Sequence, residues 1–176
     1  MKELLKLARE AIKNELEGKE LEVSQEIKKK YSKKQACFVT LTINGNLRGC
    51  IGSLEPRQEL WKDVVENAKN AAFSDPRFNS LEKSELSKIK IEISVLTIPK
   101  KIEYKDSEDL LKKIKGKGVI IKKGWNQATY LPQVWEDLPN SEKFISSLCQ
   151  KAGLSGDSWK NSELEVSLYE AEKVSE

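Results

Sequence analysis

The chain has 176 residues, 34% charged and 38% hydrophobic, with a formal net charge of +3 and no histidine. That length suits one domain with a real core, and the composition is that of a globular, water-exposed chain. The missing imidazole excludes Ser-His and Cys-His nucleophile pairs and all histidine metal sites, and so small a charge does not by itself specify a nucleic-acid or membrane partner.

In chain order, residues 1–17 read as a helix: Leu4, Leu5, Ala8, Ala11, Ile12 and Leu16 share one face at helical spacing, and Gly18 is the stop. The lysine-rich stretch 24–34 predicts a short helix and a loop. The period then changes to two, and "CFVTLTI" and "LRGCIGSL" around "NGN" predict a hairpin. A three-residue loop, 44–46, pairs Ile43 with Leu47, Leu41 with Gly49 and Val39 with Ile51, which gathers one apolar face. Phe38, Thr40, Thr42, Arg48 and Cys50 then share the other face, and Asn46 takes the left-handed position of the loop.

After a turn at Glu55-Pro56, residues 58–73 predict a helix with Trp61, Val64, Val65, Ala68, Ala71 and Ala72 as its buried stripe, stopped by "SDPRF" because Pro76 biases Asp75 away from helix. Residues 88–98 alternate as a strand with one wet face. A shorter helix is predicted over 107–115, and a second hairpin in "GVIIKKGWNQATYL". "NSEKFISSLCQKAGL" predicts a helix with Ser141 as N-cap and Gly153 as C-cap, and "SELEVSLYEAEKV" predicts the last strand.

The order hairpin, helix, loop, strand therefore occurs twice, at about 36–99 and about 117–172, which implies an internal duplication. The predicted class is α+β: two related hairpin-helix-strand units whose antiparallel sheets are flanked by helices. No apolar run reaches the length of a membrane span, and charges throughout the first 18 residues argue against a secretory signal, so a cytoplasmic location is expected. Cys37, Cys50 and Cys149 are too few and too widely spaced for a disulfide framework or a zinc motif, and no metal site is expected.

Several of these segments together resemble the AMMECR-type domain: "LRGCIGSLEP", "NAAFSDPRF", "IEISVLTIP", "YLPQVWEDLP" and "LCQKAGL", in that order from about Cys37 to Trp159. The resemblance implies a single α+β domain over 1–176, in two unequal lobes, with two related repeats forming an antiparallel, partly barrel-like sheet, and no assigned reaction. It also implies association with a Memo-like protein and a radical-SAM protein in a modification pathway.

Cys50 is the candidate catalytic residue, a nucleophile or redox thiol favoured by Arg48 beside it, with Gly49 and Gly52 leaving room for a substrate. The competing reading makes Cys50 a packed thiol and the glycines a close-packing device. Arg48, Thr40, Thr42, Asp75, Arg77 and Gln133 are the candidate ligand-binding residues, with Arg48 holding an anionic or polar group. Against this, Asp75 and Arg77 read equally as a helix stop with a local ion pair. Cys37 and Cys149 read as packing residues. The lysine runs suggest a nucleic-acid surface, but the acidic residues nearly balance them and argue against it. Two functions follow: a cysteine-dependent or ligand-binding domain of that pathway, or a non-catalytic module presenting the same groove to a partner protein.

Overall fold

The computed structural model describes residues 1–161 and 164–176. They form six helices, α1 (Lys2–Glu17), α2 (Gln25–Lys30), α3 (Leu60–Phe73), α4 (Ser107–Ile114), α5 (Val134–Asp137) and α6 (Ser141–Lys151). Eight strands accompany them: β1 (Cys37–Ile43), β2 (Asn46–Gly52), β3 (Ile89–Leu96), β4 (Lys100–Ile102), β5 (Gly118–Lys123), β6 (Asn126–Tyr130), β7 (Glu165–Tyr169) and β8 (Ala171–Ser175). The chain divides into two compact units, one of residues 1–98 with 172–176 and one of residues 99–171.

In the first unit the sheet order is β2-β1-β3-β8. Helix α1 buries Leu4, Leu5, Leu7, Ala8, Ala11 and Ile12, the apolar positions that helical spacing brings together, and ends where Gly18 enters the left-handed region at φ 66°. These side chains share a core with Val64, Ala68, Ala71 and Ala72 of α3 and with Val39, Leu41, Ile91 and Ile93 of the sheet. Each large apolar side chain sealed there contributes about 1.5–3 kcal/mol. Helix α3 also buries two polar residues that its apolar stripe does not announce, Asp63 and Asn67. They lie one turn apart and face the start of β1. Asp63 Oδ2 accepts from the Cys37 amide at 2.9 Å, and Asn67 Nδ2 donates to the Cys37 carbonyl at 3.2 Å and to Asp63 Oδ2 at 3.0 Å. The pair thus satisfies strand groups that would otherwise be buried bare.

The second unit has sheet order β4-β7-β5-β6. Val119, Ile121 and Val166 meet Leu110 and Ile114 of α4 and Phe144, Ile145, Leu148 and Cys149 of α6. Trp135 stacks on Phe144 with ring centres 3.8 Å apart and donates its indole N–H to the Lys117 carbonyl. Read from the hairpin outward, both sheets have the same plan: second hairpin strand, first hairpin strand, the strand after the helix, then one added strand. That is the expected duplication. The strands fall into two four-stranded antiparallel sheets, where one partly barrel-like sheet had been expected.

Four local expectations change. The first hairpin turns on two residues, Asn44 (φ 52°) and Gly45 (φ 81°), the left-handed pair that matches strand twist, so Asn44 and not Asn46 is left-handed. Ile43 pairs with Asn46 and Thr42 with Leu47, yet Leu41 pairs with Gly49 and Val39 with Ile51 as the apolar face requires. Arg48 is the extra residue of the resulting bulge, which absorbs the conflict between the short turn and the buried face. Helix α6 takes Asn140 rather than Ser141 as its N-cap, through a 3.0 Å bond from the Lys143 amide, and its C-cap is Ala152, with Gly153 just beyond at φ 76°. The final predicted strand is two strands, β7 and β8, one in each sheet; its first two residues, Ser162 and Glu163, lie outside the described ones. Finally, β4 joins the second sheet where no strand had been expected.

Candidate functional site

The signature hairpin is held by what its neighbours do to its backbone. A Cβ on Gly49 would lie 2.0 Å from the Ala71 carbonyl oxygen, and one on Gly52 would lie 2.4 Å from the Phe38 ring. The room expected there for a substrate is filled by the protein itself. Glycine at these points lets α3 and the Phe38 ring approach the strand.

Strand β2 is an edge of its sheet, so its outward backbone groups need partners. The loop after α3 supplies them at Cys50. Asp75 Oδ2 accepts from the Cys50 amide at 2.9 Å, and Arg77 Nη2 donates to the Cys50 carbonyl at 3.2 Å. Asp75 also accepts from the Arg77 amide at 3.1 Å and from its Nε and Nη2 at 2.9 and 2.7 Å. The Arg77 guanidinium, then the amides of Cys50 and Arg77, hold the Asp75 carboxyl far below the usual carboxylate range, against the opposing effect of burial. Its side chain is only 2% exposed, while that of Arg77 is 54% exposed. Asp75 is therefore a sealed anchor and Arg77 its outward-facing partner.

Arg48, projecting from the bulge, donates from Nε and Nη2 to the two oxygens of Glu85 at 2.8 and 3.0 Å. This forked pair raises the Arg48 pKa and lowers that of Glu85. Phe78 connects the two clusters, with the Arg48 guanidinium carbon 5.9 Å and that of Arg77 5.5 Å from its ring centre. Beside Arg48 lies a hollow of about 410 Å³.

Cys50 is half-buried, and its Sγ lies 3.3 Å from Thr40 Oγ1. Thr42 is half-buried on the same strand, opposite Lys90 of β3. The structure thus brings together Thr40, Cys50, Asp75 and Arg77, and joins Arg48 to them through Phe78. Gln133 belongs to the second unit, half-buried at the N-cap of α5. Glu85 and the linking role of Phe78 were missed from sequence; the spacing of Glu82 and Glu85, which form a capping box, is the signal that could have marked Glu85 as ordered. Among the described residues no group of three or more Cys, Asp or Glu side chains could hold a metal ion, and no helix is long and apolar enough to cross a membrane.

The other thiols are sealed. Burial, then the nearby Asp63, pushes the Cys37 thiol well up, and burial raises that of Cys149. Iodoacetamide at pH 8 should therefore alkylate Cys50 in the folded protein and spare the other two until denaturant is added, as intact-mass spectrometry before and after unfolding would read. Label on Cys37 or Cys149 under native conditions would contradict this packing.

The sequence and fold have relatives. The AMMECR1 family model matches residues 5–174. Protein NEQ441 of Nanoarchaeum equitans is 42% identical over 96% of this chain and 96% of its own length, and a protein of Aquifex aeolicus is 40% identical over 100% and 92%. The crystal structure of an uncharacterized protein, PH0010, from Pyrococcus horikoshii superposes with a TM-score of 0.89 at 35% identity, covering 98% of this chain and 89% of that one.

Proposed function

This chain belongs to the AMMECR1 family, and on that premise we propose that it is a protein-interaction module whose recognition face is the polar side of the β1–β2 hairpin together with the loop 75–78. The observation that carries this reading is the Asp75–Arg77 clamp on the Cys50 backbone. With Gly49 and Gly52 packed against protein, the motif's residues hold a strand edge in one fixed position, as a preorganised binding surface requires. Thr40, Thr42 and Arg77 then offer donors and acceptors on it. The Memo-like or radical-SAM protein of the modification pathway is the partner this reading names.

The test is affinity for the Memo-like protein, measured calorimetrically. Thr42→Glu places a carboxylate on the face, opposite Lys90, without touching the clamp. It should weaken binding at least about tenfold, the effect of one misplaced charge at a contact, while circular dichroism stays unchanged. Binding at full strength by the variant, or none by the native chain to either named partner, sinks the reading.

A second reading, cysteine-dependent chemistry, is favoured by one observation: Cys50 alone among the three thiols is not sealed, and it has a hydroxyl within hydrogen-bond reach. It requires Cys50 to react with iodoacetamide faster than free cysteine at neutral pH. A slower reaction leaves the thiol as a contact on the binding face.

A further inference from the structure

The two repeats treat one backbone position differently. Three residues before the turn-closing pairs, Ile43 with Asn46 and Lys123 with Asn126, Thr40 lies opposite Cys50 and Ile120 opposite Thr129. Cys50 and Thr129 are therefore counterparts, each on a strand at the edge of its sheet. In the first unit the chain's own loop takes both outward groups of Cys50, the amide through Asp75 and the carbonyl through Arg77. In the second unit only the Thr129 carbonyl is taken, by Lys151 Nζ of α6 at 3.0 Å. Alternation along an antiparallel edge turns the amide and carbonyl of Gln127 outward as well. Among the described residues nothing bonds to them or to the Thr129 amide. Trp125 stands at the end of this open edge, in the turn after Gly124 (φ 60°), and is fully exposed. We infer that the edge of β6 is a docking site for an extended segment of an acidic partner polypeptide, added as a fifth strand beside Gln127. The inference is independent of the recognition face on the first unit.

Charge selects the occupant. Lys122 lies opposite Gln127, and Lys151 sits at the Thr129 carbonyl. Among the described residues neither has a carboxylate within ion-pair distance. Glu165, opposite Lys122 on its other side, is held by Lys101 at 3.0 Å. Lys151 has only the carbonyl and the Tyr130 ring, whose centre is 4.8 Å away. A strand bearing carboxylates supplies both missing counter-charges, while a basic strand meets two ammonium groups. The backbone supplies the rest. Gln127 can exchange two hydrogen bonds with an added strand, and Lys151 on Thr129 closes the free stretch after it. So few bonds hold a strand weakly, and the Trp125 indole provides the apolar area that the edge lacks.

The probe is an acetylated, amidated heptapeptide of alternating glutamate and valine, titrated into the isotopically labelled native chain. NMR follows the backbone amides of residues 125–130 and the Trp125 indole N–H. Saturable shifts there are expected, with a dissociation constant of about 1 mM. The same peptide with lysine in place of glutamate should bind at least about tenfold more weakly. Gln127→Pro removes an N–H that faces away from β5, so the ladder within the hairpin is kept, and it should weaken the acidic peptide about tenfold or more. Trp125→Ala, at a fully exposed position that cannot unfold the unit, should also weaken it about tenfold. The inference is overturned if the acidic peptide fails to saturate the native chain, or if the lysine peptide binds as well. Full-strength binding by Trp125→Ala, or by a Gln127→Pro protein with native circular dichroism, overturns it too.

Discussion

Gly49→Ala should cost the first unit about 3 kcal/mol of stability or more, the upper end of what an extra carbon costs in a packed core. The reason is that the new Cβ would sit 2.0 Å from the Ala71 carbonyl oxygen. A flexible side chain could swing aside; a helix backbone cannot. Helix α3 would have to lift from β2, and Ala68, Ala71 and Ala72, buried with the sheet residues in one core, would lose contact. Denaturant titration should show the loss, with a fall in midpoint temperature of about 6–12 °C. Thr42→Ala, at a half-buried position on the same hairpin, should change stability by less than about 0.5 kcal/mol. A Gly49→Ala protein within 1 kcal/mol of the native chain would mean that the close approach of α3 is not what the glycine serves.

Asp75→Asn should lower stability at pH 7 by about 2–3 kcal/mol, the range for hydrogen bonds to a charged group. The amide can accept through one oxygen only. Its NH2 must then face the Cys50 amide or the Arg77 guanidinium, both donors. Half exposure of Arg77 moderates the loss, because water can solvate the cation left behind. The native chain should also show an acid signature. The Asp75 carboxyl titrates lower in the folded state than in the unfolded one, where it is near the ordinary value of about 3.9. Its contribution is therefore complete above about pH 5 and is lost as pH falls through 4 and towards 2. The variant should lack that part of the slope, so the two stability curves should converge in acid. Parallel curves from pH 7 to pH 2 would remove Asp75 from its place as the anchor of Cys50.

The elements that show in the sequence are those whose side-chain period reports burial directly. Helix α1, α3 and the first half of strand β3 announce themselves because Leu, Ala and Ile recur at the spacing that one wet face and one dry face impose, whereas Ser94 and Leu96, expected on the wet face of β3, are buried. The three-residue β4 is too short to carry a period. Nothing in the sequence singles out Asp63 and Asn67 as buried, because polarity is the usual mark of exposure and their partner is a strand terminus distant in the chain. At the site, Gly49, Asp75 and Arg48 were each legible as unusual. What was not legible was the direction of each: whether the bare side of Gly49 faces a ligand or α3, and whether Arg48 faces solvent or Glu85. Asp75 is 25 residues from Cys50 and Glu85 is 37 from Arg48, so only the tertiary fold decides those pairings.

The two sheets exchange their fourth strands along the chain. Strand β4, the first segment after β3, enters the second sheet, whereas β8, the segment after β7, returns to the first and lies beside β3. On the ribosome, the first unit therefore emerges early but cannot finish early. Until residues 172–176 are made, β3 has a bare flank, and the amide and carbonyl of Ile91 lack the bonds they make with Glu176. The N-terminal half of this protein thus waits on the synthesis of the other half, with an open sheet edge exposed to neighbouring nascent chains throughout that interval.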